Sequence, residues 1–424
     1  MPIPASVLIV GASAAGLATA EALRRQGYQG ALTLLDGERH PPYDRPPLSK
    51  QVLTGAWEPH RTRLRTPEQL DALDAELVPD DPAVDCAVAE RLVTTAGGRV
   101  LRADALVIAT GLRPRTLPGH DGLAGVHVLR TLDDAADLRR ELVAGRRLVV
   151  VGDGALGAET AAAARESGLE VTVVGCDGTL LGSRLGGVVG GALDRLHSEH
   201  GVRLRLGSAA ETAVEEVLGD GDRVTGVRLA CGELLPADVV VVAVGASPVT
   251  SWLAGSGLLL GDGVECDARC CAAPGVYAVG DVASFFHEGL GRRLRLENRT
   301  NAVEQARTVA ANLLGADRPY SPTPYFWTDQ YTAGGTGRYA KIQLHGLPSP
   351  TDEVTFAEGG PDEERFVAVY RDRERVTGVL GWNMAKQARL LRQRHLAGPR
   401  PAPSPVSAGP AGPAGPAGPA GPAG

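Results

Sequence analysis

Short apolar runs and alanine-rich helical segments alternate through the first 245 residues of the chain. Runs at 7–10, 148–151 and 239–244 are almost wholly apolar, and strand-like segments follow the first two at 31–35 and 171–174. Strands that are apolar on both faces are typical of parallel sheets covered by helices. The alternation of strand and helix therefore predicts an α/β fold with two Rossmann-like dinucleotide-binding domains.

A glycine-rich turn follows the first strand of each unit. The turns read Gly11-Ala-Ser-Ala-Ala-Gly16 and Gly152-Asp-Gly-Ala-Leu-Gly157. Glycines at these positions let the backbone turn tightly and approach a pyrophosphate at the amino end of the next helix. Ser13 replaces the middle glycine of the first turn, which costs little if the turn is compatible with the α region and the hydroxyl points outward. Two such turns predict two dinucleotides, a flavin and a nicotinamide coenzyme.

The pattern changes after about residue 318. Segments at 366–370 and 376–382 predict antiparallel strands, and a helix from about 384 to 395 closes a third, α+β domain. The predicted organisation is a discontinuous FAD-binding domain (1–113 and 244–318), an NAD(P)H-binding domain (114–243), a C-terminal α+β domain (319–398) and a disordered Pro/Gly/Ala tail (399–424).

Composition excludes some partners and narrows the chemistry. The 424 residues carry a net charge of −7, which disfavours a nucleic-acid partner. The absence of a long apolar run disfavours a membrane location, so we expect a cytoplasmic protein.

Cys266, Cys270 and Cys271 form a cluster without further ligands nearby, so ordinary reduced thiols and no metal are expected. No cysteine lies at 41–50, where related two-electron disulfide enzymes carry a redox pair. A flavin here must pass electrons on without a protein dithiol.

Several polar residues stand where a dinucleotide would need them. Asp36 ends the second strand, where a carboxylate can accept a ribose hydroxyl hydrogen bond. Asp281, beside Gly280, can accept from ribityl hydroxyls or act as a simple turn cap. The matching position of the second unit is Gly175-Cys-Asp177, without an acid at the strand end and without a following arginine. NADH is therefore expected, with NADPH possible.

A further helix is predicted to begin around Asn301. Asn301 and Glu304 have the spacing of an N-cap and its reciprocal partner. The positive potential at its amino end would stabilise a nearby negative group by about 0.3–1 kcal/mol.

These motifs together resemble the oxygenase-coupled, NADH-dependent ferredoxin reductases of the glutathione reductase structural superfamily. The resemblance runs from about residue 5 to about residue 396. Beyond the first glycine turn and Gly280-Asp281, it rests on Pro46-Pro-Leu-Ser-Lys50, Leu64-Arg-Thr-Pro67, Leu129-Arg-Thr-Leu132, Asn301-Ala-Val-Glu-Gln305 and Phe326-Trp-Thr-Asp-Gln330.

The resemblance implies which residues bind the two cofactors, FAD and NADH. With the glycine turns included, the candidate cofactor-binding residues are Gly11, Ser13, Ala14, Ala15, Gly16, Asp36, Gly37, Arg45, Lys50, Ala83, Ala109, Thr110, Gly111, Arg130, Gly280, Asp281, Arg299, Thr300 and Trp327, and, in the second unit, Gly152, Gly154, Ala155, Leu156, Gly157, Glu159 and Gly245. Arg130 could equally be a surface charge, and Trp327 a core tryptophan. Arg299 puts a cation where many relatives carry Trp or Val.

The resemblance also implies a catalytic pair, Lys50 and Glu159. Lys50, Lys341 and Lys386 are the only lysines of the chain, so an ammonium at position 50 stands out. In the superfamily this lysine lies beside flavin N5 and pairs with the glutamate two residues beyond the coenzyme turn, here Glu159. The alternative for Glu159 is a helix-face carboxylate favoured by the helix dipole alone.

The implied function is a ferredoxin reductase. Hydride from NADH would reach flavin N5, and electrons would leave one at a time to a [2Fe–2S] or other small ferredoxin that feeds a cytochrome P-450-type haem monooxygenase or a Rieske oxygenase. Basic residues for docking would come from Arg292, Arg293 and Arg295 or from Arg389, Arg392 and Arg394, and the alternative for either cluster is an ordinary solvated face. The alternatives are a flavin NADH oxidase or peroxidase, and a redox-sensing protein of the apoptosis-inducing-factor type. A monomer or weak dimer is expected.

Overall fold

The computed structural model describes residues 2–118, 122–331 and 337–396, and strands and helices are numbered along the whole chain. The first sheet has six strands in the order β20-β21-β7-β1-β2-β3, all parallel except β20. Its strands are β1 (Ser6–Val10), β2 (Ala31–Leu35), β3 (Glu76–Val78), β7 (Ala105–Ile108), β20 (Cys271–Ala273) and β21 (Val276–Ala278). Helices α1 (Ala14–Arg25) and α7 (Arg299–Leu313) pack against each other beside it.

The second sheet repeats this plan with five parallel strands in the order β12-β11-β10-β16-β9. The strands are β9 (Val126–His127), β10 (Arg147–Val151), β11 (Glu170–Gly175), β12 (Arg203–Leu206) and β16 (Val239–Val242). Its helices are α3 (Leu132–Glu141), α4 (Ala155–Glu166), α5 (Gly182–Glu199) and α6 (Ala209–Thr212). An antiparallel ribbon of β13 (Val214–Asp220), β14 (Arg223–Leu229) and β15 (Leu234–Pro236) accompanies this sheet.

Two short antiparallel strands connect the first and second sheets. The chain leaves the first sheet through β8 (Leu112–Pro114) and returns through β17 (Ala246–Pro248). Further small elements around the first sheet are α2 (Pro67–Asp71), β4 (Ala83–Ala87), β5 (Leu92–Thr95), β6 (Val100–Arg102), β18 (Leu260–Gly261), β19 (Gly263–Cys266), β22 (Ala283–His287) and β23 (Arg292–Leu294).

The third sheet is antiparallel, in the order β24-β25-β28-β27-β26. It comprises β24 (Tyr325–Gln330), β25 (Ala340–Gly346), β26 (Glu353–Glu358), β27 (Phe366–Asp372) and β28 (Arg375–Trp382), followed by helix α8 (Ala385–His395). Side chains alternate across its strands, and one face, which includes Ile342 and Phe366, shares a core with Val150 and Leu185 of the second unit. The third sheet is therefore packed onto the helices around the second.

The predicted α/β fold class is confirmed, and most element boundaries agree within a residue or two. Strand 239–244 is shorter than expected, because at Ala243 the chain leaves the sheet toward the turn at Gly245. The predicted tail at 399–424 lies outside the described residues. Among the helices that are described, none combines the length and the apolar character needed to cross a bilayer.

Candidate functional site

The two glycine turns have the same backbone plan. Gly11 and Gly152 both have positive φ, +105° and +128°, and a Cβ on either would overlap the carbonyl group of the residue after a neighbouring strand, Ala109 or Ala243. The last glycine of each turn lies against the carbonyl of the first glycine, which leaves no room for a side chain. Both turns thus require glycine at their first and last positions.

The middle position of the turn is different, because it tolerates a side chain. Ser13 (φ −75°, ψ −160°) and Gly154 (φ −74°, ψ −179°) have nearly the same extended backbone, and nothing lies within 4 Å of a Cβ on Gly154. The backbone at Ser13 is thus extended and does not lie in the α region that the sequence analysis considered as a condition for low cost. The serine is nonetheless unstrained, because the extended region is open to any residue.

A single cleft joins the two turns. It has a volume of about 820 Å³, within the range of ligand sites, and both glycine turns and the ends of β8, β16 and β24 border it. Of the predicted residues, the following line it: Ser13, Ala14, Ala15, Arg45, Lys50, Ala109, Thr110, Gly111, Arg130, Gly152, Gly154, Ala155, Leu156, Glu159, Gly245, Gly280, Asp281, Arg299 and Trp327. The structure therefore brings most of the two predicted sites into one continuous cleft.

The remaining predicted residues are not among those that line this cleft. Gly11, Gly16 and Gly157 are within the turns themselves. Asp36 and Gly37 follow β2, and Gly37 lies against Pro82, which precedes Ala83. Thr300 borders a neighbouring groove of about 500 Å³, which also contains Lys50 and Trp327.

Lys50 and Glu159 form the predicted ion pair. Lys50 lies in a short π-helical turn, Leu48–Val52, and its Nζ is 2.6 Å from Glu159 Oε2. The Ser49 hydroxyl donates to the same oxygen at 2.5 Å. Glu159 is buried in α4, so it is not a mere helix-face carboxylate. The ring of Trp327, half-buried at the cleft wall, has its centroid 5.3 Å from Lys50 Nζ.

A hydrogen-bond chain extends from the other oxygen of Glu159 into the third sheet. The Thr328 hydroxyl donates to Glu159 Oε1 at 2.7 Å, and the Gln330 amide donates to Thr328 Oγ1 at 2.8 Å. The side-chain oxygen of Gln330, Oε1, therefore lies 3.2 Å from His197 Nε2. Because this oxygen can only accept a hydrogen bond, Nε2 must carry the proton. Tyr331 then donates to His197 Nδ1 at 3.2 Å. Burial lowers the pKa of His197 to about 3, so the imidazole is neutral.

Charged pairs surround the first glycine turn. Arg130 Nη2 is 3.5 Å from Asp281 Oδ2, and Arg45 bridges Glu38 at 2.6 Å and the Arg130 carbonyl at 2.7 Å. Arg130 is thus part of the cleft and not a surface charge. Its buried Nε finds no hydrogen-bond partner among the described residues, which leaves a donor for a bound group. Burial raises the pKa of Asp281, and that of Asp36 to about 6.

The helix start near the cleft differs from the prediction. Helix α7 begins at Arg299, and Asn298 is its N-cap, accepting the Asn301 amide at 2.7 Å. Asn301 is instead a buried helical residue that donates to the Leu296 carbonyl. The N-cap therefore lies three residues earlier than predicted. The predicted cation at 299 is present, and its Nε is 2.8 Å from Asp44 Oδ1 in an ion pair.

Sequence reasoning missed several polar residues of the site. Thr328 and Gln330 could have been found from the period of two in β24, which puts them on the face opposite Trp327. Arg184 lies over the Phe326 ring, 4.7 Å from its centroid, and lines the cleft. Asp153, inside the second glycine turn, also borders it. No periodic signal in the sequence marks Arg184 or His197.

Comparison with known proteins places this site in a family. The chain matches the family model described as pyridine nucleotide-disulphide oxidoreductase over residues 5–306, and the model described as reductase C-terminal over residues 325–407. The first match covers more than half of the chain. The chain therefore belongs to the pyridine nucleotide-disulphide oxidoreductase family.

Within that family, the chain is similar to several characterised reductases. It is 35% identical over 349 residues to rhodocoxin reductase of Rhodococcus erythropolis, covering 82% of this chain and 79% of the relative. It is 34% identical over 416 residues to the ferredoxin–NAD(+) reductase component of the anthranilate 1,2-dioxygenase system of Burkholderia cepacia, covering 94% and 96%. The crystal structure of the covalent putidaredoxin reductase–putidaredoxin complex matches with a TM-score of 0.84 and 32% identity, covering 92% of each chain.

These relationships confirm the predicted resemblance, the oxidoreductase activity, and FAD and NADH as cofactors. The cleft fits such a pair, because it holds two pyrophosphate-type turns and an unpaired Arg130 donor. All six cysteines are free thiols, despite the disulphide in the family description.

Proposed function

We propose that this chain is an FAD-dependent reductase that takes electrons from NADH and passes them singly to an iron–sulfur ferredoxin, which feeds a haem monooxygenase or a Rieske oxygenase. The observation that carries the proposal is the Lys50–Glu159 pair, which lies in one cleft between the two glycine turns. In the same cleft, Cys176 is the one cysteine among the lining residues, and as a single free thiol it cannot form a redox pair there. Electrons that enter here have no protein dithiol to cross.

FAD and NADH would supply the redox chemistry itself, a two-electron donor coupled to a carrier that can release single electrons. The first turn with Arg130 and Asp281 would hold FAD, and the second turn with Gly245 would hold NADH. Lys50 would place a fixed positive charge where negative charge develops in the cleft. Glu159 orients that ammonium, and the Ser49 and Thr328 hydroxyls orient Glu159. Such fixed dipoles act without reorganisation during the reaction.

A docking surface for an acidic ferredoxin is the second part of the proposal. Of the two basic clusters, Arg293 and Arg295 are engaged by Glu265, Asp262 and Glu297. Arg389, Arg392 and Arg394 on α8 have no ion pair within the described residues.

The position of α8 supports the same choice. It packs on Gly381, which shares a face of the third sheet with Gln343 and its partner Trp327. A partner that contacts Trp327 would therefore have these arginines close by. We propose α8 as the electrostatic guide.

The proposal is tested with the full-length, FAD-loaded protein. Anaerobic mixing with NADH should bleach the flavin, and an added [2Fe–2S] ferredoxin should then be reduced without oxygen. Rapid oxygen uptake that matches NADH oxidation in the absence of ferredoxin would contradict it and favour an NADH oxidase. Negligible turnover with every carrier would favour a redox-sensing role.

A charge-reversal experiment tests the docking surface. In Arg389→Glu combined with Arg394→Glu, the KM for an acidic ferredoxin should rise about tenfold at low salt, because steering by these charges is lost. Arg292→Glu, in the other cluster, is the matched control and should change that KM less than twofold. We further propose that the chain works in the cytoplasm as a monomer or weak dimer, which fractionation and analytical ultracentrifugation test.

A further inference from the structure

The second sheet lacks an acid at the position where dinucleotide folds bind the adenosine ribose. In the first sheet Val10 pairs with Leu35, and in the second Val151 pairs with Val174, so the following residues, Asp36 and Gly175, are equivalent. Asp36 offers a carboxylate there and Gly175 offers none.

A different carboxylate occupies that place. A Cβ built on Gly175 would overlap the Cβ, Cγ and Oδ2 atoms of Asp153, the second residue of the glycine turn. The side chain of Asp153 thus fills the space in which a residue at 175 would begin. Glycine at 175 and aspartate at 153 are mutually dependent, since an acid at both positions would collide.

The hydrogen bonds of the two carboxylates are also equivalent. The Asp36 carboxylate accepts from the backbone amides of Ala12 and Glu38. The Asp153 carboxylate accepts from the amide of Asp177, at 2.8 Å, from its own amide, and additionally from the amide of Cys176. Counted from the aligned glycines and strand ends, Asp153 corresponds to Ala12, and Asp177 corresponds to Glu38. Two equivalent amides therefore hold both carboxylates, although one carboxylate belongs to a strand end and the other to the glycine turn.

We propose that Asp153 is the residue that selects NADH over NADPH, by accepting hydrogen bonds from the adenosine ribose hydroxyls in place of the missing acid at 175. A carboxylate held there accepts from a 2′-hydroxyl and repels a 2′-phosphate. Asp177, next to it, adds negative charge of the same sign. The inference rests on the proposed function only in that the second turn binds the coenzyme.

The test compares binding of NAD⁺ and NADP⁺ by calorimetry with flavin reduction by NADH and NADPH. Asp153→Asn should weaken NAD⁺ at least tenfold, strengthen NADP⁺, and lower the NADH-to-NADPH ratio of kcat/KM by 30-fold or more. FAD content and melting temperature should stay unchanged. Asp222→Asn, in the turn between β13 and β14, is the matched control for lost charge and should leave the ratio within twofold.

A rescue experiment distinguishes position from mere charge. Asp153→Gly combined with Gly175→Asp puts the acid on the strand end in the space that Asp153 vacates, and should restore the wild-type selectivity within threefold. The inference is overturned if Asp153→Asn keeps the wild-type ratio, if Asp177→Asn alone abolishes selectivity, or if the double variant stays unselective. Failure of both nucleotides to bind the unaltered protein would instead contradict the proposed function.

Discussion

The two halves of the cleft share one backbone plan but differ in what surrounds it. Around the first glycine turn, Arg130, Asp281, Arg45 and Glu38 form a linked set of charges. Around the second, Gly154 and Gly245 have open space beside them, and Cys176 is exposed. Charged groups fixed in advance favour tight binding, because little ordering remains to be done. We infer that the first half retains its dinucleotide, whereas the second exchanges it.

The largest expected effect on dinucleotide binding comes from substituting the first glycine of each turn separately. Gly11→Ala would force a Cβ onto the Ala109 carbonyl at a φ of +105°, and Gly152→Ala would do the same at Ala243. Such strain costs about 1–3 kcal/mol for the backbone alone, before the overlap is counted. The first variant should lose FAD, and the second should keep FAD but not be reduced by NADH.

The flavin-to-protein absorbance ratio and anaerobic NADH titration measure these two outcomes. Gly98→Ala, which also has a positive φ but open space around it, controls for backbone strain. If Gly152→Ala released FAD as readily as Gly11→Ala, the two halves would not be independent.

The next effect concerns the junction between the halves. Lys50→Ala or Glu159→Ala should slow flavin reduction about 10- to 100-fold, because a preorganised charge is lost from the cleft, while FAD remains bound. Stopped-flow absorbance measures the rate at saturating NADH. Lys341→Ala, one of the other two lysines, is the control. Wild-type reduction rates in both variants would refute the role of the pair.

The network behind Glu159 should have a smaller effect than the pair itself. Thr328→Val removes the hydroxyl that donates to Glu159 at 2.7 Å but keeps the shape of the side chain. We expect a roughly tenfold slower reduction, because a hydrogen bond to a charged group is worth about 1.5–3 kcal/mol, whereas Glu159 keeps its bonds to Ser49 and Lys50. Thr328→Ser should restore the rate. An equal loss in both variants would show that packing, and not the hydroxyl, matters.

The pH dependence of stability tests a carboxylate of the first half, Asp36. Burial raises the pKa of Asp36 to about 6, above its unfolded value near 3.8, so the folded apoprotein holds this proton more tightly than the unfolded chain. The free energy of unfolding of the apoprotein should therefore fall as the pH rises from about 4 to about 6, by up to about 3 kcal/mol, and level off above. Asp36→Asn should reduce this slope in urea titrations, since Asp281 contributes a slope of the same sign, and an unchanged slope would assign the effect to other groups.

The smallest effect is expected at the middle position of each turn. Ser13→Gly and Gly154→Ser exchange the two residues within the same extended backbone. Each should change the free energy of unfolding by less than about 0.5 kcal/mol, because neither backbone strain nor a side-chain cap hydrogen bond is involved. A larger loss in Gly154→Ser would mean that the second turn is less open than its surroundings indicate.

The sequence predicted the elements that depend on local pattern and failed where a choice depends on tertiary contact. Strands β1, β2 and β10 and helix α1 follow from buried runs and glycine turns, so they could be predicted closely. The cap of α7 could not, because Asn298 and Asn301 offer the same local chemistry and only packing around Asn301 distinguishes them.

The site shows the same division. Lys50 and Glu159 were found through a family resemblance, and no spacing rule joins residues 109 positions apart. Asp153 was overlooked because its significance depends on Gly175, a neighbour in space on another strand. Long-range complementarity of this kind leaves no periodic trace along the chain.

The carboxylate of Glu159 is a meeting point of three stretches of chain. Lys50 reaches it from the loop after β2, α4 carries it, and Thr328 reaches it from β24. A shortened chain ending before residue 325 would keep both dinucleotide turns but would lose the hydrogen bond from Thr328 to Glu159. The C-terminal sheet thus does more than offer a surface to a protein partner. Its Thr328 orients Glu159, so removal of the sheet would leave the Lys50 ammonium less firmly positioned in the cleft.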